Sequence, residues 1–227
     1  MRGTFRFATL AVALLAAPVA RADESFKVEP LKGAAPAELA PAIRDELGAD
    51  GLQVVDGEGK AFAEIWVRKA VPASGKPAGA QGAIQFPTLA EGELIGVLRF
   101  VGEGHDYRDQ TIAPGVYTLR YGLQPVNGDH LGVSPFRDYV LLSPAAKDAS
   151  AAAPKRAALE DRSAEAAGTS HPAVLLLMTA PEGGQGIVRD EAKNTWGAVL
   201  PLKLAVKGET APAPLPVRLI VSGAAME

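Results

Sequence analysis

Cysteine is absent from the 227-residue chain. That removes a disulfide scaffold, a thiolate zinc site, a cysteine nucleophile and a lipid-modified N-terminal cysteine. Aromatic residues are scarce, at 6%, and any imidazole chemistry rests on three histidines: His105, His130 and His171. Basic residues are outnumbered by acidic ones, 23 to 26, which argues against a nucleic-acid partner or an anionic membrane surface. The sequence has no Gly-x-Ser-x-Gly, no His-Glu-x-x-His, no phosphate loop and no dinucleotide fingerprint. Motifs therefore give no positive reason to expect an enzyme, and none calls for a cofactor. At 48% hydrophobic residues, the chain is apolar enough to build a core and too apolar to be wholly disordered.

What is present begins with an address. Arg2 and Arg6 precede an uncharged run over residues 7–17, Pro18 interrupts it, and Ala20-Arg21-Ala22 has the small-x-small form of a signal-peptidase site. The 11-residue run is well short of the roughly 20 residues that span a bilayer. Cleavage after Ala22 leaves Asp23 first. It removes three arginines and no acidic residue, taking the net charge from −3 to −6. The expectation is a signal peptide over residues 1–22, and a periplasmic or secreted mature chain with no transmembrane segment.

Over residues 23–227 the pattern is that of one mainly-β domain. Residues 26–31 alternate as an edge strand would, with Pro30 suited to an edge. Leu39, Ile43 and Leu47 recur at helical spacing before Gly48, predicting a short helix over 37–47. Residues 52–55 and 62–67 flank the Gly-rich turn 56–60 as a hairpin. Residues 72–92, dense in Pro and Gly, read as a long loop.

Residues 94–100 suit a buried strand. Residues 116–123 alternate, with Tyr117, Leu119 and Tyr121 on one face and Thr118 and Arg120 on the other. Further strands are expected at 139–142 and 173–178, along Trp196, Ala198, Leu200, Leu202, Leu204 and Val206, and along Leu215, Val217, Leu219 and Val221. Between them, residues 145–168 shift to Ala with interspersed charge and read as a helical or flexible insertion. Arg156–Ala167 is its helical part, with Pro154 to start it and Gly168 to end it. Irregularly spaced strands with few helices predict an antiparallel, β-sandwich-like fold. Trp66 and Trp196 fall within strand patterns and read as core rather than as a platform for a sugar ring.

Two constellations could carry function. The polar connection between the strands at 116–123 and 139–142 holds Gln124, Asn127, Asp129, His130, Arg137 and Asp138. A loop on a rigid β scaffold is a usual place for a ligand site. Its structural alternative has Asn127-Gly128 as a turn and Arg137 paired locally. Separately, His105 (beside Asp106 and Asp109), His130 (beside Asp129) and His171 are weak candidates for a shared divalent-metal site; local hydrogen bonding in loops is the competing reading.

Residues 111–138, with Pro-Gly-Val-Tyr-Thr-Leu-Arg-Tyr-Gly at 114–122 and Asn-Gly-Asp-His at 127–130, resemble stretches of a group of exported bacterial mainly-β proteins. The segments Glu-Ile-Trp-Val-Arg-Lys at 64–69 and Gly-Thr-Ser-His-Pro at 168–172 are similar to other parts of the same group. The resemblance implies export and a shared fold, and transfers no catalytic residue. The expectation is a non-enzymatic module that binds a small-molecule ligand or an envelope partner. The alternatives are a divalent-metal protein or enzyme using His130, His105 and His171, and a structural envelope component.

Overall fold

Alternating apolar residues punctuated by Pro and Gly fold into strands along most of the chain. The computed structural model describes residues 25–126 and 134–223. In chain order the strands are β1 (Lys27–Leu31), β2 (Gly51–Val55), β3 (Ala61–Val67), β4 (Val71–Ala73), β5 (Leu94–Phe100), β6 (Gly104–His105) and β7 (Thr111–Ile112). They continue as β8 (Gly115–Leu123), β9 (Asp138–Pro144), β10 (Val174–Thr179), β11 (Ile187–Asp190), β12 (Thr195–Val206) and β13 (Ala213–Ser222). Among the described residues two α-helices accompany them, α1 (Pro41–Arg44) and α2 (Arg156–Ala167). The fold is mainly β with few, short helices.

The layers of the expected sandwich are two parts of one curled sheet, in the order β1-β2-β3-β5-β8-β9-β10-β13-β12-β11. Every neighbour on that path is antiparallel, while β4 adds to β12 in parallel. The turn between layers runs through β10. Its first residues pair with β9 (Val174↔Leu141) and its last with β13 (Thr179↔Val217), as strands that switch layers do. The main core lies between the layers. Ala63, Ile65, Leu98, Phe100, Leu119, Tyr121, Val140 and Leu142 meet Ala198, Leu200, Leu202, Leu204, Val217, Leu219 and Val221 there. Along β12 the one-in, one-out pattern of a half-buried strand holds in the second half, where Leu202 and Leu204 are buried and Pro201, Lys203 and Ala205 exposed, while Thr195–Leu200 is buried on both faces.

At one end the sheet's two margins approach each other. Phe26 sits 5.1 Å from Phe62 and 5.6 Å from Trp196, ring centre to ring centre. Tilted and edge-on rings at that separation add directional attraction to their burial. Trp66 and Trp196 are both buried, as expected. Trp66 lies outside the main core, in a second cluster with Leu39, Ile43, Leu47, Leu94 and Val97 on the sheet's other face. Gly96 is required between these clusters, because a Cβ there would strike the Trp66 carbonyl oxygen.

One expectation needs correction. The helix predicted over 37–47 is only the single turn α1. Pro41 opens it and holds Ala40 extended (ψ 139°), since a residue before proline is driven out of the helical region. Leu39, Ile43 and Leu47 are nevertheless all buried. On β8, the face that carries Thr118 and Arg120 is not solvated. A covering segment at 148–154 buries Thr118 and Arg120 completely. The short strands β4, β6, β7 and β11 are additions that no alternation announces.

Arg120 spends all five of its N–H donors inside this cover. Nε and Nη2 hold Asp148 at 2.8 and 3.0 Å. Nη1 reaches the carbonyls of Gly92 and Ala152 at 3.0 and 3.1 Å, and Nη2 also donates to the Ser150 carbonyl. Asp148 accepts two more donors, Thr118 Oγ1 at 2.6 Å and Arg162 Nη1 at 3.1 Å. Removing one partner of such a pair strands the other's charge in the interior. Asp148→Ala is therefore expected to lower the unfolding free energy by about 3–5 kcal/mol in urea melts. Glu58→Gln, which breaks the exposed Lys60–Glu58 pair, is expected to leave the midpoint unmoved. Equal effects would show that the buried pair carries no special weight.

Candidate functional site

On the sheet's outer surface beyond β8, a third apolar cluster gathers Tyr139 and Leu141 of β9, Leu176 of β10, Ile220 of β13, Tyr107 and Leu159. Helix α2 covers part of it. Gly168 ends the helix at φ +64°, as the sequence predicts, in a left-handed conformation that glycine adopts without strain. The buried face of α2 is only Leu159, Ser163 and Ala166, so polar contacts dock it. Ser163 Oγ donates to the Ala173 carbonyl at 2.9 Å, and the Ala173 N–H returns to the Ser163 carbonyl at 3.1 Å. Arg156 bonds Glu91 and Glu160, each at 2.8 Å, while Arg162 reaches Asp148.

A helix with so narrow an apolar face leaves sheet uncovered beside it. The result is a cleft of about 580 Å³, within the size range of small-ligand sites. Tyr139, Val174 and Leu176 form its apolar lining, with Tyr107 and Pro172; Arg108, Arg156, Glu160, Asp161, Ser170 and His171 supply its polar groups.

The wall opposite in chemistry to the helix is the β6–β7 turn. Asp106, 1% exposed, accepts the N–H groups of Arg108, Gln110 and Val174 at 2.8, 2.9 and 3.0 Å, and Gln110 Nε2 at 2.8 Å. Gln110 in turn donates to the Pro172 carbonyl and accepts the Thr169 hydroxyl at 2.5 Å. Thr169 Oγ1 then receives the His171 N–H at 3.1 Å. This chain of hydrogen bonds fixes the backbone that presents Arg108 and His171. Preorganised walls of that kind lower the entropic cost of binding.

The residues expected to bind ligand divide three ways. Gln124 lines the cleft. Arg137 serves the base of its connection: Nε donates to the Gln124 carbonyl at 2.7 Å, the Gln124 N–H donates to the Arg137 carbonyl at 2.8 Å, and the Arg137 N–H donates to Ala83. Asp138 points inward, 1% exposed. It accepts the Gln85 and Phe86 N–H groups and the Tyr121 hydroxyl at 2.7, 3.0 and 2.7 Å. Three donors engage its carboxylate, which pins the 85–86 backbone to β8. Asn127, Asp129 and His130 lie outside the described residues.

Of the histidines considered for a metal, His171 lines the cleft and His105 does not, and His130 is again outside the described residues. Among the described residues, no three His, Asp or Glu side chains are grouped to hold a metal ion. Asp106, a suggested neighbour of such a site, is committed to backbone N–H groups instead. Arg108, Tyr139 and Asp161 were not singled out by sequence. Only the alternation that puts Tyr139 in a strand gave any sign of it, and nothing local distinguishes the other two from solvated turn and helix charges.

The fold and cleft define a mainly-β protein with a preformed, small-ligand-sized depression beside α2. No family model, curated protein or solved structure matches the chain. Among the described residues no helix is long and apolar enough to cross a membrane.

All four tyrosines resist ionisation. Burial pushes Tyr139 up to about 12. Burial also raises Tyr107, with Asp190 adding to it, and Tyr117. Burial and then the Asp138 hydrogen bond hold Tyr121 far above the ordinary value of 10. Between pH 10 and 12 the unfolded chain sheds tyrosyl protons that the folded chain keeps, so stability falls as pH rises through that window and is untouched below it. Tyrosinate absorbance of the folded protein is expected to lag that in urea, and the urea midpoint to drop above pH 10 less steeply in Tyr139→Phe. Coincident titration of folded and unfolded protein would contradict the burial of these rings.

Proposed function

We propose that this chain is an exported, non-enzymatic β protein that binds a small ligand in the cleft between α2 and the outer surface of β9 and β10. One observation carries the reading: an apolar floor of Tyr139, Val174 and Leu176 beneath a rim of charged and polar groups. A ligand gains affinity from apolar area removed from water and orientation from a few placed polar groups. Export rests on the n-region, the short apolar run and the Ala20-Arg21-Ala22 site. The resemblance to exported bacterial β proteins points the same way.

A neutral, environment-sensitive apolar dye tests the cleft. Its emission is expected to rise saturably with wild-type protein. Ala164→Trp, placed on α2 where it lines the cleft, is expected to abolish the rise while costing the helix only a few tenths of a kcal/mol in propensity. Dye binding unchanged in that variant, with an unchanged thermal midpoint, removes the cleft as the site. For export, the protein recovered from its native compartment is expected to begin at Asp23. Recovery with residues 1–22 intact would overturn it.

A further inference from the structure

Four charged side chains line the cleft, Arg108, Arg156, Glu160 and Asp161, and two of them are paired with each other. Arg156 bonds Glu91, Glu160 and the Leu123 carbonyl, so it and Glu160 are already engaged. Asp106, behind the wall, is consumed by backbone N–H groups. There remain Arg108 on the β6–β7 turn and Asp161 on α2. Both line the cleft, and among the described residues neither side chain has an ion-pair or hydrogen-bond partner. One cation and one anion, carried by different elements, flank a floor of Tyr139, Val174 and Leu176.

A ligand that fills the cleft takes water away from both charges. That costs free energy unless the ligand supplies the opposite charge at each. A purely anionic ligand would satisfy Arg108 and leave Asp161 facing a like charge; a purely cationic one would do the reverse. We infer that the cleft takes a zwitterionic ligand with an apolar body, the pattern of a short apolar peptide with both termini free: carboxylate to Arg108, ammonium to Asp161 and side chains on the apolar floor. A guanidinium suits the first task, since it can grip a carboxylate through two parallel N–H bonds. The inference rests on the cleft being the binding site.

The test uses the tripeptide leucyl-phenylalanyl-leucine in three forms, with free termini, N-acetylated and C-amidated, titrated calorimetrically into the mature protein. Each blocked form is expected to bind about three- to tenfold more weakly than the free peptide, the range for charges at a partly exposed rim. Arg108→Gln is expected to bind the free and amidated forms equally while still preferring a free amine. Asp161→Asn is expected to show the mirror image, losing only the preference for a free amine. Because each variant loses one preference and keeps the other, unfolding cannot mimic the result.

Equal binding of all three forms by wild type, or a preference for the free carboxylate that survives Arg108→Gln, overturns the zwitterion assignment. The neutral apolar dye separates the two levels of the reading. Dye bound in the cleft with no tripeptide binding refutes the ligand class alone. Neither dye nor tripeptide bound refutes the cleft itself.

Discussion

The Arg120–Asp148 pair is the constraint on which the outer half of the molecule depends. A guanidinium with no solvent exposure is tolerable only if every donor finds an acceptor, because the desolvation of an ion exceeds what a single partner returns. Here the acceptors come from two separate stretches: Gly92, and the 148–152 segment with the Asp148 carboxylate and the carbonyls at 150–152. The chain between β9 and α2 must therefore pass over β8 in one way. Asp148 extends the constraint by also holding Arg162 of α2. Lysine, with three donors about a single point, could not span those acceptors.

The same device recurs wherever loops have to be fixed. Asp106, Asp138 and Asp148 are all nearly inaccessible, and each ties together segments far apart in sequence. Asp106 binds the β6–β7 turn to Val174 of β10. Asp138 binds the backbone at 85 and 86 to Tyr121. A chain without cysteine cannot staple its long Pro- and Gly-rich connections covalently. Buried carboxylates that accept several N–H groups do comparable geometric work, since charge-assisted hydrogen bonds are stronger than neutral ones and leave few alternative arrangements.

This also sets the limit of what could be read from sequence. Alternation located the strands of the core, from residues 62–67 to Leu215, Val217, Leu219 and Val221, because a period of two with one buried face has few other solutions. Gly168 marked the end of α2 to the residue, while Pro154 lies two residues before its first position. Alternation says which side chains share a face, however, and not what will lie over it. Alternation places Thr118 and Arg120 on one face, and it is the 148–154 segment crossing them that makes that face buried. Asp106 and Asp138 look like any turn or loop aspartates until their N–H partners, 68 and 53 residues away, are in place. The cleft was illegible for the same reason, since its residues come from six separate stretches and converge only in the fold. Gln124 and His171 each stood in an expected constellation, though never in the same one.

The narrow apolar face of α2 joins stability to function. A helix docked by three or four leucines would have filled the cleft above Tyr139, Val174 and Leu176. With only Leu159, Ser163 and Ala166 buried, α2 gains little from apolar burial and depends on Ser163, Arg156 and Arg162 for its position. Polar docking of this kind fixes where the helix lies while leaving apolar sheet open beside it. The open cleft is a direct consequence of how the helix is held. A substitution that strengthened the helix by adding apolar contacts would close the surface on which binding depends, so stability and binding pull against each other along that helix.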